Sequence, residues 1–168
     1  MKSILIASRN PADVRELKET ISQEYNVSVV TSLKELGSHL EQSDAILLDH
    51  EFTEHSGKEV ITGILKKSYL PIITLSNPDN VKGAIEAMMA GACSYIVKVG
   101  DYHHVLDLAI KEAIEKFDKQ KQMNQTIITL KKQVKELEEQ LKKAGKEDGK
   151  TFDPETKASI LDEIVFIF

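Results

Sequence analysis

The first 117 residues alternate between short apolar runs and amphipathic stretches. Each apolar run is rich in β-branched or aliphatic side chains and contains few polar residues. The five runs are residues 4–7, 27–30, 45–48, 71–75 and 95–97. Nearly continuous apolar runs of this length are typical of strands that are covered on both faces, as in a parallel sheet.

The stretches between the runs have helix periodicity and helix start signals. The first opens with Asn10 and Pro11, a capping side chain followed by proline at the first helical position. Apolar residues then recur three or four positions apart, on one face of each predicted helix. These residues are Val14, Leu17 and Ile21; Leu33, Leu36 and Leu40; Val60, Ile61, Ile64 and Leu65; Val81, Ala84, Ile85, Met88 and Met89; and Leu106, Ala109, Ile110, Ala113 and Phe117. Such alternation predicts a doubly wound α/β fold whose ligand site lies at the carboxyl ends of the strands.

The fifth predicted helix continues well beyond the α/β pattern. Neither glycine nor proline occurs from Asp101 to Ala144, and Gly145 is predicted to end the helix. In its second part apolar residues are spaced alternately by four and three positions, which is a heptad seam. The seam residues are Met123, Ile127, Leu130, Val134, Leu137, Leu141 and Ala144. β-Branched residues at a with leucine at d favour a parallel two-stranded coil, so we expect a homodimer through residues 123–144.

These patterns divide the chain into three predicted segments. Residues 1–117 form the α/β domain, and residues 118–144 form the coiled-coil extension. Residues 145–168 contain a polar linker followed by an apolar C-terminal segment. This segment begins a further domain in one interpretation, in which the chain is the regulatory head of an enzyme.

Composition narrows the class of protein. With 168 residues, 41% of them hydrophobic, the chain has material for one core plus an extension. A net charge of −5 argues against bulk electrostatic binding to nucleic acid, and no apolar run is long enough to cross a membrane. A lone cysteine, Cys93, excludes an internal disulfide and fits a reducing, cytoplasmic location.

Polar residues follow several of the predicted strands. Asp49 directly follows a buried strand, and Ser76 and Lys98 close the fourth and fifth strands. In the doubly wound fold a carboxylate, a hydroxyl and an ammonium therefore meet in one crevice. This combination suits phosphoryl chemistry, with a carboxylate nucleophile and a cation to balance phosphate oxygens. No complete active site of a metabolic enzyme is present, and the protein is predicted not to be an enzyme.

These motifs, in this order and spacing, resemble the receiver domain of bacterial two-component response regulators over residues 1–117. The segments that carry the resemblance are Ile4–Ala7, Ile46–Asp49 with Gly57, Pro71–Ser76 and Gly91–Lys98. The resemblance implies a flavodoxin-like, five-stranded parallel sheet in the order 2-1-3-4-5. It also implies Asp49 as phospho-acceptor, Lys98 as partner of the phosphoryl group, and Ser76 and Tyr95 as the switch residues. A sensor histidine kinase or a small phosphodonor would then be the upstream partner.

The chain departs from the family at the positions that normally hold Mg²⁺. Two acidic residues usually follow the first strand, and here Ser8 and Arg9 stand in their places. Mg²⁺ requires anionic oxygen ligands, so we expect no dedicated metal site and only weak Mg²⁺ binding. Arg9 is also expected to be able to pair with Asp49. Thr53 and Val99 occupy positions where the family usually has proline.

Two functions follow from the sequence. In the first, an atypical receiver relays a phosphorylation or binding signal through a dimeric coiled coil to an effector that the sequence does not identify. In the second, Arg9 permanently replaces the metal. The chain is then a phosphorylation-independent pseudo-receiver that acts as a protein-interaction or scaffold module.

Overall fold

The computed structural model describes residues 1–52 and 56–147, and within them it contains five strands and five α-helices. Thr53 and the C-terminal residues 148–168 lie outside this range. The strands are β1 (Ser3–Ala7), β2 (Asn26–Val30), β3 (Ala45–Asp49), β4 (Ile72–Ser76) and β5 (Ser94–Val97). The helices are α1 (Pro11–Ile21), α2 (Leu33–His39), α3 (Gly57–Lys67), α4 (Val81–Ala90) and α5 (His103–Glu147), with a 3₁₀ turn at Leu40–Gln42. All neighbouring strands are parallel, in the order β2-β1-β3-β4-β5, which confirms the predicted doubly wound sheet.

Polar side chains cap the starts of the helices, as predicted for Asn10. The Asn10 side chain accepts a hydrogen bond from the backbone N–H of Ala12 (3.0 Å), and Pro11 takes the first helical position. Ser32 and Ser56 cap α2 and α3 in the same manner. Each cap satisfies a backbone donor that the helix itself leaves unpaired, so each fixes where the chain turns from sheet edge to helix.

The core has two layers because successive side chains of a strand point to opposite faces of the sheet. On one face β1 contributes Ile4 and Ile6, which pack with residues of α1 and α5. On the other face it contributes Leu5 and Ala7, which pack with residues of α2, α3 and α4. Both layers are built from the apolar runs of the sequence, which explains why those runs are nearly continuous.

Helix α4 buries a different face from the one that its apolar pattern predicted. Ile85, Met88 and Met89 are exposed by 57%, 48% and 82%, whereas the small Ala87 is buried against the sheet. Gly91 ends the helix, with φ at +106°, a backbone conformation that glycine adopts without a Cβ penalty. The periodicity located the helix but not the face that it buries.

The C-terminal part of α5 belongs to a second unit of the chain. The contacts divide the chain into a unit of residues 1–120 and a second unit that starts at Lys121. Within the second unit the described seam residues are all exposed, from 42% for Ile127 and Leu130 to 69% for Leu141. The prediction that Gly145 ends the helix is wrong by two residues, since α5 extends to Glu147. A single glycine costs a helix about 1 kcal/mol, which does not by itself end it. No helix in the described part of the chain is long and apolar enough to cross a membrane.

The left-handed backbone at Gly91 predicts a test of the fold. A Cβ at this position would lie 2.7 Å from Cδ1 of Leu65, in addition to the strain of a positive φ. We expect Gly91→Ala to lower the free energy of unfolding by about 1–2 kcal/mol. The control is Gly63→Ala within α3, where a Cβ meets nothing within 4 Å and should stabilise by about 0.5–1 kcal/mol. Urea unfolding of both variants measures the difference, and a shift of the same sign in both would contradict this account.

Candidate functional site

The carboxyl ends of β1, β3, β4 and β5 bring the predicted site residues to one edge of the sheet. Asp49 is the last residue of β3 and is 4% exposed, and Ser8 directly follows the neighbouring strand β1 and is 1% exposed. Ser76 ends β4, and Lys98 follows β5. The parallel arrangement of the strands therefore places the four residues at the same edge.

The Asp49 carboxylate accepts hydrogen bonds on both of its oxygens. Its Oδ2 accepts from the Ser8 hydroxyl (3.0 Å) and from Nζ of Lys98 (3.3 Å). Its Oδ1 accepts from the backbone N–H of Glu51 (3.0 Å). The Ser8 oxygen in turn accepts from the backbone N–H of Asn10 (3.2 Å), which orients the hydroxyl. The carboxylate is thus buried, fixed in position and surrounded by donors.

Lys98 is shared between two carboxylates. Its Nζ lies 2.6 Å from Oδ2 of Asp13 and 3.3 Å from Oδ2 of Asp49, and its side chain is 10% exposed. Burial alone lowers the pKa of this ammonium. The hydrogen bond to Asp13 and the charge of Asp49 outweigh burial, so that the pKa of Lys98 is raised.

Asp13 was not predicted as a site residue. It belongs to the first turn of α1, where an acidic side chain is already favourable because of the helix dipole. The sequence did contain a signal, because only three residues separate the end of β1 from the start of α1, and the first turn of α1 therefore lies near the same edge of the sheet. A pattern of motifs taken from strand ends alone does not include this position.

Arg9 contacts a backbone oxygen rather than the Asp49 carboxylate. Its Nη2 donates to the carbonyl oxygen of Glu51 (3.5 Å), and the expected pair with Asp49 is absent from the described residues. Together Ser8, Arg9, Asn10, Asp49 and Glu51 line a cleft of about 260 Å³. The cleft gives solvent a route to the edge of Asp49 and has a guanidinium in its wall.

The two predicted switch residues hydrogen-bond to groups other than Asp49. The buried Ser76 hydroxyl donates to the carbonyl of Asn77 (3.2 Å). The Tyr95 ring packs against the core on the α4 side of the sheet, and its hydroxyl donates to the carbonyl of Asn80 (3.0 Å). Asn80 also caps α4, through its side chain and the backbone N–H of Gly83 (2.9 Å). Both switch hydroxyls are therefore bonded to the segment that joins β4 to α4.

The residues of the cleft do not fit a bound Mg²⁺ ion. The described residues contain no group of three His, Cys, Asp or Glu side chains placed to hold a metal. Asp49 is the carboxylate at the centre, and its oxygens are already engaged by donors. The Glu51 carboxylate accepts from the side-chain amide of Asn77 (3.1 Å). Mg²⁺ requires oxygen ligands in near-octahedral geometry, and both carboxylates of the cleft are already bonded to other donors.

Comparison with known proteins identifies the family. The family model for the response regulator receiver domain matches residues 4–111 of this chain. The chain belongs to this family. No curated protein sequence matches the chain.

Solved structures of receivers have the same fold. The receiver domain of the TMAO respiratory system response regulator TorR is 22% identical, with a TM-score of 0.63, and the match covers 70% of this chain and 99% of that chain. A receiver domain protein from Methanospirillum hungatei is 22% identical, with a TM-score of 0.62 and coverage of 71% and 98%. One from Bacteroides fragilis is 20% identical, with a TM-score of 0.64 and coverage of 68% and 97%. At these identities the likeness shows the fold alone.

The shared ammonium predicts that Asp13 stabilises the receiver. Replacing Asp13 with Asn removes one of the two charges that face Lys98, and we expect a loss of about 1–3 kcal/mol in the free energy of unfolding. Asp101→Asn is the control, because Asp101 is exposed and contacts only the exposed His104 among the described residues. It should change stability by less than about 0.5 kcal/mol.

The pH dependence of this difference follows from the raised pKa of Lys98. The stabilisation is fully present below the ordinary lysine pKa of 10.5 and is lost as the pH rises through the higher pKa of the folded state. Urea unfolding at neutral and alkaline pH should therefore show the wild type and Asp13→Asn converging at high pH. A difference that stays constant across this range would exclude the ion pair as its cause.

Proposed function

We propose that this receiver accepts a phosphoryl group on Asp49 and relays that state to a partner. The observation that supports this most directly is the Asp49 carboxylate, buried beside a lysine ammonium and reached through an open cleft. A carboxylate oxygen attacks the phosphorus of the donor, and Lys98 then binds the new phosphoryl oxygens. Histidine kinases and small phosphodonors are the partners of receivers, and the donor here comes from one of these two classes.

In this proposal the hydroxyls of Ser76 and Tyr95 have one hydrogen-bond pattern before phosphorylation and another after it. In the structure Ser76 donates to Asn77 and Tyr95 donates to Asn80, so both hold the segment before α4. A phosphoryl group on Asp49 adds strong acceptor oxygens at the end of the neighbouring strand. If Ser76 turns toward them, it releases the Asn77 carbonyl. The modification thereby favours a second packing of this segment, which Tyr95 and α4 follow.

The relay element in this proposal is a parallel homodimer through residues 123–144. The exposed seam from Met123 to Leu141 supports it, since these large apolar side chains recur at a and d positions and are uncovered in the single chain. A second copy of the chain provides the same stripe and therefore a matching partner. In a cytoplasmic dimer of this kind the state of two receivers reaches the coil together, and the coil transmits it to the effector.

The alternative function is the phosphorylation-independent pseudo-receiver. It is favoured by Ser8 and Arg9 in place of the acidic pair and by the poor fit of the cleft to Mg²⁺. In this case Asp49 serves as a buried partner for Lys98, and the domain presents a fixed surface to a binding partner. The two functions differ in whether Asp49 becomes modified.

Phosphorylation is tested by incubation with acetyl phosphate in the presence of Mg²⁺, followed by intact mass spectrometry. We expect the wild type to gain the mass of one phosphoryl group, because Asp49 is the buried nucleophile of the cleft. Asp49→Asn should gain none, and Asp101→Asn should react like the wild type. A wild type that stays unmodified throughout would favour the pseudo-receiver.

The dimer is tested by placing charges in the seam. Replacing both Leu130 and Leu137 with Asp puts four carboxylates into a two-stranded seam. Burying these unpaired charges costs more free energy than the seam can supply. We expect light scattering to report a dimer for the wild type and a monomer for this variant, with a receiver that still unfolds cooperatively. The matched control carries Asp at Gln125 and Ile128, which lie at outward heptad positions, and should remain dimeric. A monomeric wild type would leave the relay without its transmission element.

A further inference from the structure

The cleft beside Asp49 contains a positive charge that the described residues do not neutralise. Arg9 is exposed, and its hydrogen bond to the neutral carbonyl of Glu51 is long at 3.5 Å. No carboxylate of the described chain lies within ion-pair distance of its guanidinium. A hydrogen bond of this length is weak, so the guanidinium can exchange it for a stronger acceptor.

The positive charge of Lys98, the other cation of the site, is already neutralised by carboxylates. Lys98 faces both Asp13 and Asp49, so these three side chains together carry one net negative charge. An approaching phosphate brings further negative charge to a buried carboxylate, and the repulsion between them opposes the reaction. Phosphoryl transfer to Asp49 therefore requires a second positive charge in the cleft.

The residues present favour arginine over a metal ion for this role. The two carboxylates that line the cleft, Asp49 and Glu51, are both engaged by hydrogen-bond donors, and the described residues hold no cluster of three metal-ligating side chains. A guanidinium carries a permanent charge and a planar fork of donors that matches two phosphate oxygens. Arg9 lines the same cleft as Asp49, so a phosphate that enters it meets both side chains.

We propose that Arg9 takes the place of the divalent cation, so that phosphoryl transfer to Asp49 proceeds without metal. This inference rests on the proposed function, since it concerns how the same reaction is carried out. With acetyl phosphate, an Asp49 oxygen forms a bond to phosphorus while the bond from phosphorus to the acetate oxygen breaks. Acetate leaves with the electron pair. Arg9 and Lys98 bind the phosphoryl oxygens throughout, and neither proton nor electron is consumed.

The experiment compares the rate of adduct formation from acetyl phosphate in EDTA and in Mg²⁺, measured by intact mass. We expect equal rates in the two conditions for the wild type. Arg9→Ala should be slower in EDTA by roughly tenfold or more, as for the loss of one charged donor. Arg15→Ala, on the exposed side of α1, is the matched control and should keep the wild-type rate.

A second variant is designed to require Mg²⁺ for adduct formation, in contrast to the wild type. Replacing Ser8 and Arg9 together with Asp supplies carboxylates next to Asp49, and this variant should form the adduct in Mg²⁺ but not in EDTA. Calorimetric titration gives a readout that does not depend on the reaction. It should show Mg²⁺ binding to the double variant and far weaker binding to the wild type. Thermal unfolding of each variant verifies that it is folded.

The outcomes separate this inference from the proposed function. If the wild type forms the adduct in Mg²⁺ but not in EDTA, the role of Arg9 is overturned, whereas the proposed phosphorylation of Asp49 stands. An Arg9→Ala variant that reacts as fast as the wild type in EDTA would also overturn it. If the wild type forms no adduct in either condition, the proposed function itself fails and the inference falls with it.

Discussion

The geometry of the site depends on the Lys98 ammonium and the two carboxylates that face it. Through its side chain Lys98 connects β5 with Asp49 on β3 and with Asp13 on α1. Its backbone N–H donates to the carbonyl of Ser76 (2.8 Å), which adds β4. A charge that is 10% exposed must be paired to remain in the fold, so this contact fixes the relative positions of four elements. The Asp49 carboxylate is therefore held in position by the same ammonium that joins these elements.

The sequence predicted the fold well because its strands and helix ends have distinctive residue patterns. Strands buried on both faces leave continuous apolar runs, and the Asn10–Pro11 start and Gly91 mark helix ends by local backbone chemistry. Helix α4 shows where this reasoning stops. Periodicity detects a face with apolar residues, but the close packing of α4 on the sheet buries the small Ala87 and leaves Ile85 and Met89 outside.

The candidate site was predicted in part, for a related reason. Strand ends are recognisable in a sequence, and Ser8, Asp49, Ser76 and Lys98 were found from their positions at these ends. Asp13 was missed because its role arises from the path of α1 back toward β5, a contact between residues 85 positions apart. The direction of the Arg9 side chain was also not predictable, since Asp49 and the Glu51 carbonyl both offer it an acceptor. Which one it takes depends on the loop after β3.

The two cations of the cleft differ in how they respond to ionic strength. At physiological salt, exposed charges are screened over about 8 Å, whereas buried pairs are screened much less. Arg9 is exposed, so its attraction for an anion weakens as salt is added, while the contact of Lys98 with Asp13 and Asp49 persists. The site thus combines an exposed charge that is sensitive to salt with a buried charge that is much less so. A rise in ionic strength therefore acts more on the guanidinium in the cleft wall than on the contacts around Asp49.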